Sequence, residues 1–323
     1  MLHEPGIFFF MSSEEYHADP SLGSTNLRDL IAGPRRFWER SWMNPKRDLY
    51  AFDEETKATV LGTALHCYTL DGREVFVGKY SRRPDDLLGA SPSDKAAITK
   101  KANAEAKGRN QISLHGDEWM FCETSGELIA EHQDLKDLFV GGDHEVSVFW
   151  VNDHGIPCKA RFDILKPRGI ADVKTIANES MKRLEISAKL RIKAAKYHIQ
   201  AEHYLEARRQ LPRLVAAEKI FILLGHGMSS PVPGPMIERM LACAKQKQFA
   251  FVLVFVSKST PECWACILSP GNPILVEARD RIETAFDSYR DLRERYGTKP
   301  WPQEWRLGEL YMEEMPGGEF GWN

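Results

Sequence analysis

No stretch of the chain approaches the roughly 18–20 consecutive apolar residues that a membrane-spanning helix needs. The longest apolar run, Phe249–Ser257, has the length of a strand. The N-terminal Met1-Leu2-His3-Glu4-Pro5 carries no basic n-region, and no small-residue cleavage site follows, so no secretory leader is expected. Cysteine is scarce. Cys67, Cys122, Cys158, Cys243, Cys263 and Cys266 are 6 in 323 residues, too few for a disulfide scaffold, and a cytoplasmic protein with reduced thiols is expected. An excess of one charge is also missing: 43 basic side chains stand against 46 acidic ones, a net charge of −3. A polyanionic partner must therefore be met by a local basic surface and not by the whole molecule. There is no internal repeat and no low-complexity tract. A Gly-x-x-x-x-Gly-Lys-[Ser/Thr] phosphate loop is absent, which excludes a nucleotide-driven motor of that kind in this chain. His144, His154, His198 and His203 stand at no zinc-ligand spacing.

What is present is an ordinary apolar fraction of 43%, enough for a sizeable core. Ser24 or Thr25 is placed to cap a short helix ending near Gly33-Pro34, and a second helix runs through Phe37 and Trp38. Residues 57–70 predict a helix with Val60, Leu61, Ala64 and Leu65 on one face. Residues 81–116 are polar and are expected to cover the surface, before a helix over about 117–139. From residue 145 the period becomes alternating. Strands are expected at 145–151, 158–165 and 170–175, with turns at Asn152–Gly155 and Lys166–Gly169. A helical region over about 180–211, a strand near 219–224, a Gly/Pro-rich loop at 225–235 and a helix at 236–247 follow. A hairpin of 250–257 with 263–268 and a long helix near 273–296 complete the chain. The pattern predicts an α/β (α+β) fold, a mixed central sheet flanked by helices, in a single domain over 1–323. Residues 1–56 form an N-terminal helical segment and 297–323 a C-terminal tail in this reading.

The middle meander carries the chemistry. With a turn at Lys166–Gly169, Leu165 faces Ile170, Asp163 faces Asp172 and Arg161 faces Lys174. Glu145 lies beside Phe162 or Asp163, depending on a one-residue choice of register. Carboxylates placed opposite one another repel, and a divalent cation removes that penalty. Carboxylate oxygens with water are the ligand set of Mg²⁺ or Mn²⁺. Such an ion polarises a phosphoryl oxygen and acidifies a bound water, and a neighbouring lysine can orient that water.

An acid, a hairpin and then Asp172-Val173-Lys174 resemble the core of the PD-(D/E)xK nuclease superfamily, with Asp163 matching the first acid although Phe162 stands where Pro is usual. The wider pattern resembles the RecB-type branch, in particular the RecE-like exonucleases of the exonuclease VIII type. Its upstream Gly-x-x-x-His appears as Gly62-Thr63-Ala64-Leu65-His66, and its downstream Gln-x-x-x-Tyr as Gln200-Ala201-Glu202-His203-Tyr204. The opening Glu15-Tyr16-His17-Ala18-Asp19 and the late Lys299-Pro300-Trp301 are similar to the family as well. The resemblance implies a restriction-endonuclease-like core with His66, Asp163, Asp172 and the Val173 carbonyl as ligands of Mg²⁺ or Mn²⁺. It implies Lys174 as the catalytic lysine, Glu145 as an acid near the metal, and Gln200 and Tyr204 facing the active site and DNA. It further implies a metal-dependent exonuclease acting on double-stranded DNA ends in phage or prophage recombination. A RecT-like annealing protein would then be a partner, a ring-shaped homo-oligomer the assembly, and a membrane no part of it.

Some RecB-type nucleases hold an iron–sulfur cluster with three downstream cysteines. Here Cys263 and Cys266 lack the third, so no cluster is expected. The stretch 182–196 holds six basic residues, Lys182, Arg183, Lys189, Arg191, Lys193 and Lys196, against one acid, Glu185. Lying between Lys174 and Gln200, it is expected to emerge near the site and to track a phosphate backbone. Arg35, Arg36, Arg40, Lys46 and Arg47 form a second basic cluster. The rival readings are another nuclease activity on the same fold, single-strand exonuclease or structure-specific endonuclease, and a DNA-binding module without catalysis.

Overall fold

The computed structural model describes residues 2–47, 57–84, 91–177, 183–224 and 228–303. The chain opens on a strand, β1 (Gly6–Phe9), followed by three helices, α1 (Ser13–Ala18), α2 (Ser24–Ala32) and α3 (Pro34–Arg40). Helix α4 (Lys57–His66) runs through a π-helical turn (Cys67–Asp71) into α5 (Gly72–Lys79) and β2 (Tyr80–Arg82). Next come α6 (Pro92–Gly108), β3 (Ile112–Leu114), α7 (Gly116–Glu131) and α8 (Lys136–Phe139). The meander is β4 (Asp143–Val151), β5 (Pro157–Lys166) and β6 (Gly169–Ile176). After it stand α9 (Leu184–Ala194), α10 (Tyr197–Ala216), β7 (Ile220–Leu224), β8 (Met228–Ser230) and α11 (Gly234–Lys245). The chain then forms β9 (Ala250–Ser257), β10 (Cys263–Leu268) and α12 (Pro273–Tyr296).

Among the described residues, eight strands form one mixed sheet in the order β10-β9-β6-β5-β4-β1-β7-β8. The β6–β9 and β1–β7 pairs are parallel and the others antiparallel. Helices cover both faces. On one, α10 and α12 bury Trp150, Phe162, Phe251 and Phe255 with Leu27 and Phe37. On the other, α4, α5 and α7 bury Leu65, Phe76 and Cys122 against Val173 and Val256. Among the described residues, no helix is long and apolar enough to cross a membrane.

The mixed sheet flanked by helices matches the expectation, and the meander, the late hairpin and α12 lie at the expected positions. Several elements differ. The N-terminal segment is not all helical: Gly6–Phe9 is an interior strand, four residues too short to show a period. Helix α2 is capped through Gly23, whose N–H donates to Asn26 Oδ1 at 3.0 Å, and not through Ser24 or Thr25. The helix expected over 57–70 runs on through its π turn to Lys79. Within the polar stretch 81–116, residues 92–108 form α6 and 112–114 form β3, and α6 covers the surface as expected, exposed along nearly all its length. The helix expected over 117–139 breaks at His132, and the helical region 180–211 breaks at Lys196, whose φ of 52° turns the chain out of α9. The first part of the expected tail is packed: Trp301 is fully buried against Phe37 and Tyr289. Residues 304–323 lie outside the described residues.

Candidate active site

The β5–β6 hairpin has the expected register, with Leu165 opposite Ile170 and Lys166 opposite Gly169. Its ladder ends at Ile164 and Ala171, one step short of Asp163 and Asp172. Phe162 packs in the α10-side core, whereas Ile164, two residues on, packs with Leu70 on the opposite face. Side chains of equal parity share a face in a regular strand, so β5 turns over at Asp163. Its partner in β4 shows the same disturbance. His144 pairs with Ile164 and Val146 with Phe162, which puts Glu145 opposite Asp163, and Glu145 has a φ of 52°. That conformation is strained for a residue with a Cβ and is tolerated only where the surroundings enforce it.

Arg161 is part of that enforcement. A flat hairpin would set it opposite Lys174, but β5 and β6 have separated before that step. Its Nε instead pairs with Glu145 Oε2 at 2.9 Å, and its Nη2 donates to the Met11 carbonyl. Lys159, two residues back and buried, donates through Nζ to the carbonyls of Tyr16 at 2.7 Å and Asp19 at 2.6 Å. Both cations lie against the Tyr16 ring. Two basic residues in β5, Lys159 and Arg161, thus fasten α1 across the sheet.

Asp163 replaces the missing ladder bond. Its Oδ2 accepts the Val173 N–H at 3.0 Å. His66, the last residue of α4, donates from Nε2 to the Val173 carbonyl at 2.8 Å, with Asp163 Oδ2 3.7 Å away. His66, Glu145 and Asp163 each present a ligand atom within 4.8 Å of the others. Burial and the Asp163 charge push the Glu145 carboxyl above its usual range, against the pull of Arg161 and His66. One imidazole and two carboxylates held together, one of them unfavourable as an anion, form a donor set that suits a divalent cation.

Asp172 stands beside this trio but is otherwise engaged. Its Oδ2 meets Lys174 Nζ at 2.5 Å and its Oδ1 accepts from Gln200 Nε2 at 2.7 Å. Of the three expected side-chain ligands, two lie in the compact group, and Glu145 occupies the third place in it. Burial pushes the Asp172 carboxyl up to about 6, despite the Lys174 ammonium. Burial works against that ammonium in turn, yet the Asp172 and Asp163 carboxylates outweigh it and raise the Lys174 pKa. Tyr204 is buried, its ring edge-on to Phe162, and burial holds its hydroxyl protonated. Phe162, which replaces the usual Pro, is therefore the floor under Tyr204.

Several of these residues line one cleft of about 890 Å³, with Asp163 and Asp172 set behind its wall. His66, Glu145, Lys174, Gln200 and Tyr204 open onto it, together with Ser24, Thr25 and Arg28 at the start of α2. Among the described residues, no α9 side chain lines it. Arg183, Lys189, Arg191 and Lys193 are exposed elsewhere, with Arg183 and Lys189 paired to Glu185. The basic stretch leads directly into Tyr197, which does line the cleft. Lys182 lies outside the described residues. In the second basic cluster Arg36 and Arg40 share Asp29, and Arg35 pairs with Glu39. Cleft residues that the sequence left unassigned include Arg161, Tyr197, Arg28 and Lys79. The basic alternation at 159 and 161 was the one signal for the first.

A family model described as a PDDEXK-like domain of unknown function (DUF3799) matches residues 37–223, more than half of the chain. That span includes every residue from His66 to Tyr204 that meets in the cleft. No curated protein matches the chain.

Proposed function

Because the chain belongs to the PDDEXK-like family DUF3799, we propose that it is a Mg²⁺-dependent deoxyribonuclease that degrades linear duplex DNA from its ends. The polarity is 5′→3′, leaving 3′ single-stranded overhangs for an annealing protein. The observation that carries this reading is the convergence of His66, Glu145 and Asp163 within 4.8 Å, beside the Lys174–Asp172 pair, at the wall of one open cleft onto which His66, Glu145 and Lys174 face. His66, Glu145 and Asp163 would hold the ion, with the Val173 carbonyl beside His66 and Asp172 close by. A divalent ion there supplies Lewis-acid polarisation of a phosphoryl oxygen and an acidified water.

The chain's own groups do the rest. Lys174 orients the attacking water and faces the charge that builds on the phosphoryl oxygens, which fixed cationic donors stabilise most in a dry site. Gln200 keeps Asp172 aligned under Lys174, and Arg161 keeps Glu145 turned toward Asp163. Tyr204 and Gln200 lie one turn apart on α10, so both meet the substrate from the same side.

The test is incubation of the full chain with end-labelled linear duplex, covalently closed circular duplex and single strands, in Mg²⁺ or in chelator. Loss of linear duplex alone, from its 5′ ends and only with metal, is the expected result. Cutting of closed circles identifies an endonuclease, preferential loss of single strands a single-strand exonuclease, and binding without cutting a non-catalytic module.

A further inference from the structure

The Lys174 ammonium meets both a carboxylate and an aromatic ring. Its Nζ is 2.5 Å from Asp172 Oδ2 and lies over the face of the Tyr197 ring, 5.4 Å from the centroid. An aromatic face attracts a cation, and the attraction strengthens away from bulk water. Tyr197 opens α10, directly after the left-handed Lys196, and is buried at 8% exposure on the wall of the cleft. Its own place is fixed from behind. The Tyr197 ring packs on Phe255 at 6.1 Å, and Phe255 is the residue that pairs with Lys174 across the parallel β6–β9 ladder. The backbone of Lys174 thus positions Phe255, Phe255 supports Tyr197, and Tyr197 meets the far end of the same lysine.

We infer that Tyr197 is the positioning residue of Lys174, holding its Nζ against Asp172 and over the cleft by the face of its ring. A lysine side chain is a long flexible stem ending in a point charge. A carboxylate on one side fixes the distance of that charge but leaves the stem free to swing. A ring face against the same charge confines the swing. Misplacement of a reacting group by about 1 Å can cost on the order of 100-fold in rate. The inference rests on the nuclease reading for its consequence but not for the contact itself.

Two measurements test it. In protein labelled with ¹³C at lysine Cε, the Lys174 Hε signal, identified by its loss in Lys174→Arg, should be shifted upfield by the ring current. Tyr197→Leu should return it to the ordinary lysine position. An unshifted signal in the unaltered chain overturns the inference whether or not the protein cuts DNA. The second measurement replaces Tyr197 by Phe and by phenylalanines carrying increasing numbers of ring fluorines, which keep the shape and weaken the face. On linear duplex with Mg²⁺, Tyr197→Phe should keep kcat. The fluorinated series should lower it stepwise, by about ten-fold or more at pentafluoro, at constant KM and melting temperature. Equal kcat across the series means the ring is only filler and overturns the inference. A shifted Lys174 signal in a chain that cuts no DNA leaves the contact standing and removes the nuclease reading instead.

Discussion

Glu145 combines two costs that a structural residue would not carry: a left-handed φ of 52° and a carboxyl made harder to ionise by burial and by Asp163. Glycine enters the left-handed region freely, whereas strain of this kind is worth on the order of 1–3 kcal/mol. Glu145→Gly is therefore expected to melt higher than Glu145→Ala while both lose Mn²⁺ affinity by calorimetry. Equal melting of the two would mean that the backbone there is unstrained. His203 offers a separate test. It is fully enclosed, its Nε2–H donates to the Lys159 carbonyl at 2.9 Å, and burial lowers its pKa to about 4. In the unfolded chain the ring titrates near its ordinary value of about 6.5, so the unfolded state binds the proton first. Its contribution to stability is then full above pH 6.5 and declines as pH falls toward 4, by at most about 1.4 kcal/mol per pH unit. Denaturant unfolding followed between pH 7 and 4 should show this decline, reduced in His203→Gln. An identical pH slope in both chains would exclude His203 as its source.

Strand β5 joins the sheet to the N-terminal segment through Lys159 and Arg161. The Lys159 ammonium is the partner of the Tyr16 and Asp19 carbonyls. Leaving buried acceptors unpaired costs roughly 1–3 kcal/mol each. Lys159→Met should therefore lower the melting temperature and raise amide hydrogen exchange over residues 12–22 more than elsewhere. Uniform exchange would show that α1 is held by other contacts. Helix α9 makes a different prediction, since its basic side chains are exposed and none lines the cleft. Replacing Lys189, Arg191 and Lys193 by Ala together should leave kcat on bound DNA intact. The dependence of log affinity on log salt should flatten by about one unit for each phosphate that is no longer neutralised. An unchanged slope would place the DNA track on another surface, with Arg28 and Arg161 in the cleft the next cations to alter.

For the molecule as a whole, the ligand trio ties together three distant parts of the chain: the end of α4 and two neighbouring strands. An ion bound by the folded state alone stabilises that state in proportion to the logarithm of its concentration over Kd, about 2.7 kcal/mol at one hundred times Kd. Mn²⁺ should thus raise the melting temperature of the unaltered chain, and chelator should reverse it. In Asp163→Asn, which keeps an oxygen acceptor for the Val173 N–H, the rise should vanish while the apo melting temperature changes little. An Mn²⁺ shift of full size in that variant would move the metal away from these residues.

Much of this architecture was readable from residue order alone, because its signals are local. The alternation of β4, β5 and β6, the Lys166–Gly169 turn and the capped α12 each depend on neighbours in sequence, and the turn fixed the register that brings Asp163 toward Asp172. Asp163, Asp172 and Lys174 were identifiable for the same reason. His66, Gln200 and Tyr204 came from family resemblance, since nothing local marks a histidine at a helix end as a ligand. Strand β1 escaped because four buried residues show no period, and the break between α9 and α10 because a left-handed lysine has no composition. The tertiary structure alone decided that β5 turns over at Asp163. A flat hairpin would carry Arg161 to Lys174, whereas the competition between two opposed helix layers for Phe162 and Ile164 reverses the strand there. That reversal frees the Val173 N–H for Asp163, brings Glu145 into the trio with His66, and leaves Asp172 to hold Lys174.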